Sequence, residues 1–401
     1  MATKDSDRSE STELMEPLLI GEGARKRAEL ADLAVELAAC ATGFQRSLPR
    51  GILVALSHLV RAMNCYYSNL IEGHDTHPID IERALKNDFS TDNTKRNLQL
   101  EAKAHIAVQQ WIDEGNLRGR AATFEGICEI HRLFCERLPD ELLWAEDPDT
   151  RERARIMPGK LRKKDVKVGQ HILISPGALP RFMARFEEAY SNLGKTNSIL
   201  AAAYAHHRLL WIHPFTDGNG RVARLMSHAM LLETLDTGGV WSIARGLARD
   251  VNTYKAHLSA CDQARRNDLD GRGNLSEEAL ASFAEFFLET CIDQVKFMEE
   301  LVQPDRLRDR ILIWVEEEIR ANKLPPKSGN VLEAILYRGE LPRGEVAALI
   351  GTGDRQARRV TSALIEREVL TSRSTRAPLQ LAFPAKLAPR WMPGLFPERA
   401  V

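Results

Sequence analysis

Apolar residues recur every three to four positions along most of the chain, which is the spacing of one face of an α-helix. This spacing predicts helices at residues 24–41, 52–70, 79–87, 95–113, 124–134, 198–211, 221–233 and 306–320. Alternation typical of strands is confined to short segments, and the sequence contains no repeat and no low-complexity tract. We therefore expect a mainly α fold.

The last part of the chain has a different pattern. A loop rich in Pro and Gly at residues 324–329 suggests a boundary, and predicted helices follow at 331–338, 343–350 and 354–368. The last two are joined by a tight Gly-Thr-Gly turn, which is typical of a helix-turn-helix. Residues 370–381 then alternate like a two-stranded wing. Together these features predict a winged-helix-like C-terminal domain.

Length and charge narrow the class of protein. A chain of 401 residues favours two or three domains, and a formal net charge of −1 gives no general attraction to nucleic acid or acidic membranes. No run approaches the ~20 apolar residues that cross a bilayer. Residues 1–16 are polar, lack an apolar signal region and are predicted to be disordered. We expect no membrane association and a cytoplasmic location.

The six cysteines are scattered without a Cys-x-x-Cys pair, at Cys40, Cys65, Cys128, Cys135, Cys261 and Cys291. Most lie in apolar helical patterns, so we expect reduced, buried thiols. Cys128 is a poor candidate nucleophile because no neighbouring charge would lower its pKa.

The segment His213-Pro-Phe-Thr-Asp-Gly-Asn-Gly-Arg-Val-Ala-Arg224 lies between two predicted helices and concentrates reactive groups. Gly218 and Gly220 allow positive φ and close approach of a ligand, and backbone N–H groups at a helix start attract anions. Arg221 and Arg224 are three residues apart, so they lie on one face of the following helix and can clamp phosphates. The segment therefore predicts a polyphosphate site.

Two further side chains of this segment suggest phosphoryl or nucleotidyl transfer. Asp217 is a hard oxygen ligand suited to Mg²⁺, and His213 can accept a proton from an attacking hydroxyl. A calcium loop starting at Asp217 fails because its twelfth position is His228. The histidines do not have the spacing of a zinc helix.

The segment resembles the signature of the Fic family, His-x-Phe-x-(Asp/Glu)-Gly-Asn-Gly-Arg-x-x-Arg, at every defined position. The resemblance implies a helical core with a β-hairpin flap and transfer of AMP from ATP, with Mg²⁺, to a hydroxyl of a target protein. It also implies roles for each residue: His213 as base, Asp217 as metal ligand, Gly218, Asn219 and Gly220 as anion hole, Arg221 and Arg224 on the outer phosphates, and Phe215 as a core anchor.

The resemblance extends over about residues 124–291. Residues 158–162 and 166–171 are similar to the flap, which binds the target by main-chain pairing in this family. The target-docking residues implied are Val166, Val168, His171 and Ile172. Tyr254 is implied as an ATP-binding residue, and residues 281–288 as a closing helix.

An upstream motif, Ser68-Asn-Leu-Ile-Glu-Gly73, resembles the family's inhibitory motif, (Ser/Thr)-x-x-x-Glu-(Gly/Asn). Ser68 and Glu72 are four residues apart and share a helix face. In the family class with an N-terminal inhibitory helix, this glutamate pairs with the second signature arginine, here Arg224. A carboxylate there would occupy donors that the γ-phosphate needs, so we expect autoinhibition by Glu72.

These observations give one reading and leave alternatives open. The predicted division is a disordered tail (1–16), a helical region with the inhibitory helix (17–120), a catalytic domain (121–295), a linker helix (296–330) and the winged-helix-like domain (331–401). The predicted function is an autoinhibited protein adenylyltransferase acting on Ser, Thr or Tyr. The alternatives are another donor, removal of AMP, or a DNA-binding regulator whose Fic core is a sensor. Self-modification, a homodimer, and DNA binding through Arg355, Arg358 and Arg359 also stay open.

Overall fold

The computed structural model describes residues 7–146, 151–168 and 171–397, apart from the side chains at positions 167, 168, 171 and 172. The N-terminal region consists of four helices: α1 (Arg27–Arg46), α2 (Arg50–Ile71), α3 (Pro78–Leu85) and α4 (Asn93–Asp113). These match the predicted helices to within a few residues, except that α1 ends five residues later than predicted.

The central region adds short strands between helices. Its elements are α5 (Phe124–Cys135), β1 (Trp144–Glu146), β2 (Arg153–Arg155), β3 (Lys167–Val168), β4 (His171–Ile172), α6 (Leu179–Tyr190), α7 (Lys195–Ile212), α8 (Asn219–Leu235), α9 (Ile243–Arg249), α10 (Val251–Cys261) and α11 (Glu277–Leu301). β1 pairs with β2 and β3 with β4, both antiparallel. The predicted mainly α fold with a small hairpin is confirmed.

The helices α7 and α8 form the centre of the core. The residues Ala201, Ala202, Ala203 and Ala205 of α7 are 0% exposed, and their small side chains let neighbouring helices approach closely. A helix that is apolar on nearly all sides is buried by others on every side. The loop that joins α7 to α8 is therefore fixed at both ends by the most buried helices of the domain.

The C-terminal region follows a long helix, α12 (Pro304–Arg320). Its elements are α13 (Ser328–Arg338), β5 (Glu340–Leu341), α14 (Val346–Ile350), α15 (Asp354–Glu366), β6 (Leu370–Thr371), β7 (Leu379–Leu381) and α16 (Ala388–Trp391). The three strands form an antiparallel sheet in the order β5-β7-β6. The sequence predicted α13, α14 and α15 and a strand pair at 370–381, which contains β6 and β7, but neither β5 nor α16.

This C-terminal region packs against α2 instead of hanging from a linker. Tyr67 of α2 donates a hydrogen bond of 2.8 Å from its hydroxyl to the Leu395 carbonyl, and the rings of Tyr66 and Phe396 meet edge to face. A Cβ on Gly51, at the start of α2, would collide with the backbone of Gly339. The helix α2 is thus shared between the two regions.

The N-terminal tail corrects a prediction. Residues 7–16 were predicted to be disordered, yet residues 12–15 form a 3₁₀ turn and Met15 is fully buried. Glu10 accepts hydrogen bonds of 2.8 and 2.6 Å from the N–H and hydroxyl of Ser175. The charged residues of this segment suggested that it is solvated and disordered. In the fold it is ordered instead, because it forms ion pairs with distant residues and buries Met15. Residues 1–6 lie outside the described part of the chain.

The predicted boundary at residue 295 lies inside α11, which continues to Leu301. Within the described ranges, no helix combines the length and apolar character needed to cross a bilayer. All six cysteines are free thiols, and burial raises the pKa of Cys128 to about 11.

Candidate active site

The loop between α7 and α8 carries the predicted catalytic segment. His213 ends α7 in the left-handed region at φ 51°, and its N–H donates to the Leu209 carbonyl at 2.9 Å. A non-glycine residue in this region is strained and persists only where its surroundings fix it. Gly218, at φ 81°, precedes the first residue of α8. The loop therefore begins and ends on left-handed residues.

The side chain of Asn219 closes the loop on itself. Its amide accepts a hydrogen bond from the Phe215 N–H and donates one to the Phe215 carbonyl, each at 2.9 Å. Phe215 is fully buried, as its predicted anchoring role requires. The predicted anion contact by Asn219 is thus left to its backbone, since the side-chain amide is already engaged within the loop.

The start of α8 is suited to an anion. It has no side-chain cap, and the first N–H groups of an α-helix have no acceptor within the helix. The helix begins at Asn219, so Gly220 lies in its first turn and not before the helix as predicted. The helix dipole adds a partial positive charge at the same place.

His131 of α5 supports the loop, a role that was not predicted from the sequence. Its ring stacks on Phe215 with centroids 4.0 Å apart, and its Nδ1 accepts a hydrogen bond of 2.9 Å from the Gly159 N–H. Burial lowers the pKa of His131 to about 4, so it is neutral at pH 7. Its position four residues after the buried Ile127 was the available signal, because a polar residue on an apolar helix face needs partners.

Arg224 is held by both residues of the predicted inhibitory motif. Its Nε donates to the Ser68 hydroxyl at 2.9 Å, and its Nη2 forms an ion pair with the Glu72 carboxylate. The Arg224 side chain is 3% exposed, whereas that of Glu72 is 35% exposed. Burial raises the pKa of Glu72, but the charge and hydrogen bond of Arg224 outweigh it and the pKa is lowered. Glu72 is therefore ionised at neutral pH.

Glu72 also lies over the glycine turn. A Cβ added to Gly220 would collide with Oε1 of Glu72 and come within 3.1 Å of Arg224 Nη1. The carboxylate thus occupies space at the start of α8 as well as a guanidinium donor.

The way in which α2 ends explains the glycine of the predicted inhibitory motif. Gly73 lies just after the end of α2 and has a φ of 85°. The His74 N–H donates a hydrogen bond of 2.9 Å to the Asn69 carbonyl. This pairing across a left-handed residue is a Schellman helix end, which favours Gly or Asn. The motif therefore ends the helix directly after Glu72.

Arg221 has a carboxylate partner that the sequence did not reveal. Its Nη2 donates to Glu101 Oε2 at 2.9 Å, and its guanidinium lies 5.1 Å from the centroid of the Phe134 ring. Glu101 also faces His74 Nδ1 at 3.5 Å. The nearby Glu101 carboxylate raises the pKa of His74. Glu101 belongs to α4, which the sequence predicted only as an amphipathic helix.

Tyr254 lies behind the site. It is 2% exposed, and its hydroxyl is 2.7 Å from Nε2 of the buried His206, whose Nδ1 is 2.9 Å from the Ser227 hydroxyl. Tyr254 was predicted among the ATP-binding residues. Burial raises the pKa of Tyr254 and the charge of the neighbouring Arg224 opposes this, so Tyr254 lies beside an arginine of the site. Its role in ATP binding stays a prediction.

Asp217 is exposed at the loop, and no group of three or more His, Cys, Asp or Glu converges as a metal site among the described residues. A single hard oxygen fits Mg²⁺ that is held mainly by phosphate oxygens and water. Asp217 would then be the protein's own ligand.

The strands β3 and β4 pair Lys167 with Ile172 and Val168 with His171, at the second predicted flap segment, 166–171. The first predicted flap segment, 158–162, forms a turn and a loop instead of a strand. Val166 is half-buried. The side chains of Val168, His171 and Ile172 lie outside the described part, so their docking role stays a prediction.

Comparisons with known proteins agree with this geometry. Residues 121–231 match the model of the Fic/DOC family. The protein adenylyltransferase Fic of Drosophila persimilis is 31% identical over 172 residues, which cover 42% of this chain and 30% of that relative. The matched part of the chain therefore spans less than a third of the length of such curated relatives.

Two solved structures share the fold. A Fic family protein from Desulfovibrio desulfuricans G20 has a TM-score of 0.52 and 16% identity, covering 88% of this chain and 95% of that one. A Fic domain containing signaling protein from Bacteroides thetaiotaomicron VPI-5482 has a TM-score of 0.50 and 21% identity, covering 67% and 96%. These structures show a shared fold, and the match to the Fic/DOC family is confined to residues 121–231.

Proposed function

We propose that this protein is an autoinhibited adenylyltransferase that moves AMP from ATP to a Ser, Thr or Tyr hydroxyl of a target protein. The observation that carries the proposal is the convergence of four features at one loop. His213 lies at the end of α7, the uncapped start of α8 follows Gly218, and Arg221 and Arg224 project from the first turns of that helix. The name of the similar fly protein supports the same chemistry.

In this mechanism the N–H groups after Gly218 bind the ATP phosphates at the position where the α-phosphorus is attacked. Arg221 and Arg224 bind the outer phosphates, which become the leaving pyrophosphate. The target hydroxyl attacks the α-phosphorus as its proton passes to His213, and the bond to the β-phosphate oxygen breaks. Asp217 would hold Mg²⁺, which neutralises charge on the phosphates when bound.

Glu72 inhibits this reaction by occupying Arg224. The same carboxylate at Gly220 repels a phosphate that enters the turn. Because the Ser68 hydroxyl also accepts a hydrogen bond from Nε of the same guanidinium, Arg224 is held towards α2. Activation then requires Glu72 to leave Arg224.

The test is transfer of label from α-labelled ATP with Mg²⁺ to a cell lysate and to the protein itself. The parent chain, Glu72→Gly and Glu72→Gly/His213→Ala are compared. We expect label only with Glu72→Gly, at least about tenfold above the parent, which corresponds to about 1.4 kcal/mol. Equal labelling by the double variant would contradict the role of His213. No label in any form would favour another donor or removal of AMP, and label on the protein itself would establish self-modification.

A second candidate function rests on the C-terminal region, which we interpret as a winged helix that binds duplex DNA. Five exposed arginines lie on α15 and on the turn between β6 and β7: Arg355, Arg358, Arg359, Arg373 and Arg376. None has a carboxylate within ion-pair distance among the described side chains, whereas most other arginines of the chain are paired. Unneutralised arginines on a helix and an adjacent wing fit phosphate contacts.

This function predicts duplex binding that weakens steeply with salt, because counterions are released. Fluorescence anisotropy of the full chain with a labelled duplex, at two salt concentrations, measures it. Arg358→Ala/Arg359→Ala should weaken binding and flatten the salt slope, while Arg320→Ala, an exposed residue paired with Glu316 on α12, should not. Equal effects of both variants would reject this surface. A homodimer through the N-terminal helices stays a prediction, tested by sedimentation.

A further inference from the structure

Arg162 joins the catalytic loop to the flap. Its Nε donates to the His213 carbonyl at 2.9 Å and its Nη2 to the Ile174 carbonyl at 2.7 Å. Its own N–H donates to the Pro214 carbonyl at 2.9 Å, and its Nη1 to the Lys164 carbonyl at 3.1 Å. One side chain therefore contacts the strained residue His213 and the segments on both sides of the β3–β4 hairpin.

The guanidinium is buried without a counter-ion. Arg162 is 3% exposed, and no carboxylate lies within ion-pair distance of it in the described ranges. Burying an unpaired cation costs free energy unless its donors are satisfied. Here three backbone carbonyls satisfy them, and a planar fork can reach all three at once, which an ammonium cannot.

A second arginine, Arg8, contacts the residues that flank the β3–β4 hairpin. Arg8 of the N-terminal segment donates from Nη2 to the Leu173 carbonyl at 2.9 Å and pairs with Asp165 at 3.1 Å. Arg8 thus contacts residues directly next to those that Arg162 contacts on both sides of the hairpin. It makes no contact with the catalytic loop in any hydrogen bond or ion pair of the described residues.

We propose that Arg162 is a positioning residue that couples the flap to His213, so that the segment that binds the target and the base that deprotonates it move as one unit. The proposal rests on the proposed function for its catalytic consequence. Its structural content, the linkage of two segments by one guanidinium, does not need that function. Fixing the His213 carbonyl sets the backbone from which the imidazole projects, and fixing the Lys164 and Ile174 carbonyls sets the line along which a target strand would pair.

The linkage predicts coupled loosening. Amide hydrogen exchange, followed by mass spectrometry of the full chain, reports opening of individual backbone segments. We expect Arg162→Gln to speed exchange at least about threefold both in peptides from 163–175 and in peptides from 209–220. Arg162→Lys should give an intermediate result, because one ammonium replaces only part of the fork.

Arg8→Gln is the matched control. It removes contacts at the same hairpin but none at the catalytic loop, so exchange should rise in 163–175 and stay unchanged in 209–220. Thermal unfolding of each variant checks that the fold is retained. If Arg162→Gln unfolds globally, exchange rises everywhere, and Arg162→Lys then carries the test.

The outcomes separate this proposal from the proposed function. Faster exchange confined to 163–175 in the Arg162 variants, or no change in either segment, would overturn the coupling. In the Glu72→Gly background, Arg162→Gln should lower kcat for AMP transfer at least about tenfold while the Kd for ATP stays within about twofold. If Glu72→Gly itself transfers nothing, the adenylyltransferase proposal fails while the exchange result still decides the coupling. A weaker Kd for ATP with unchanged kcat would show that Arg162 acts on nucleotide binding instead.

Discussion

Glu101 Oε2 lies 2.9 Å from Nη2 of Arg221, so both signature arginines have a carboxylate partner, Glu101 for Arg221 and Glu72 for Arg224. The two pairs differ in their surroundings. Glu101 is 15% exposed and also faces His74, whereas Glu72 is 35% exposed at the end of a helix. The carboxylate at Arg221 is therefore the less exposed of the two and has less room to leave.

We expect Glu101→Gln to have the opposite effect from Glu72→Gly. Arg221 rests on Phe134 and would lose its ionic partner, which leaves a nearly buried charge unpaired and costs about 3 kcal/mol. Urea unfolding measures the loss of stability, and labelled transfer measures activity. Glu101→Gln alone should not increase AMP transfer, and in the Glu72→Gly background it should raise KM for ATP. Activation by Glu101→Gln would instead make Glu101 a second inhibitory residue.

Asn219→Ala should destabilise the catalytic loop. Two hydrogen bonds to the buried Phe215 backbone are lost, and leaving such groups unpaired costs about 1–3 kcal/mol. The free energy of unfolding in urea measures this. Asn267→Ala removes a similar local bond, to the Leu269 N–H, at an exposed loop and should change stability little. Full stability of Asn219→Ala with lost transfer would instead place the Asn219 side chain on the substrate.

Tyr254→Phe tests whether the Tyr254 hydroxyl helps to position the neighbouring Arg224. The change leaves the buried His206 without its 2.7 Å partner, so stability should fall by about 1–2 kcal/mol. In the Glu72→Gly background we also expect a severalfold weaker Kd for ATP by calorimetry, since Arg224 loses a neighbour. Tyr190→Phe removes a hydroxyl that donates to the Leu18 carbonyl at 2.8 Å, and neither Arg221 nor Arg224 is among the charges that act on Tyr190. It should cost similar stability and leave ATP binding intact. Equal ATP affinity in both variants would argue against the support.

Stability should fall as the pH is lowered from 6.5. Burial lowers the pKa of His131 and His207 to about 4 and that of His105 and His206 to about 3, each from 6.5. Between these values the unfolded chain binds more protons than the folded one, so the free energy of unfolding decreases with falling pH. Each histidine contributes up to about 1.4 kcal/mol per pH unit. Urea unfolding at pH 7, 6 and 5 measures the slope.

His105 offers the control for this pH dependence. Neither ring nitrogen of His105 has a hydrogen-bond partner. His105→Leu therefore breaks no hydrogen bond, puts an apolar side chain in the same place and removes one titrating group. The variant should flatten the slope between pH 7 and 5. An unchanged slope would mean that His105 is protonated in the folded state as readily as in the unfolded chain.

The sequence determined those features that depend on neighbouring residues. Helical spacing located most helices, including α2, because burial of one face repeats every three to four residues. The segment 213–224 determined its own chemistry, since glycines, carboxylate, base and two arginines lie within one loop and one helix turn. The pairing of Glu72 with Arg224 was predicted from the resemblance of two short motifs to one family. The helices α6, α9, α10 and α16 were missed.

Only the tertiary structure decided which distant groups meet. Glu101, His131 and Arg162 lie in segments whose local pattern says nothing about the segment 213–224, yet each contacts it. Tyr254 proved to be buried, and residues 7–16 proved to be ordered, because partners far along the chain satisfy their polar groups. Local periodicity records which face of an element is buried, whereas the identity of what covers that face is a property of the packed molecule.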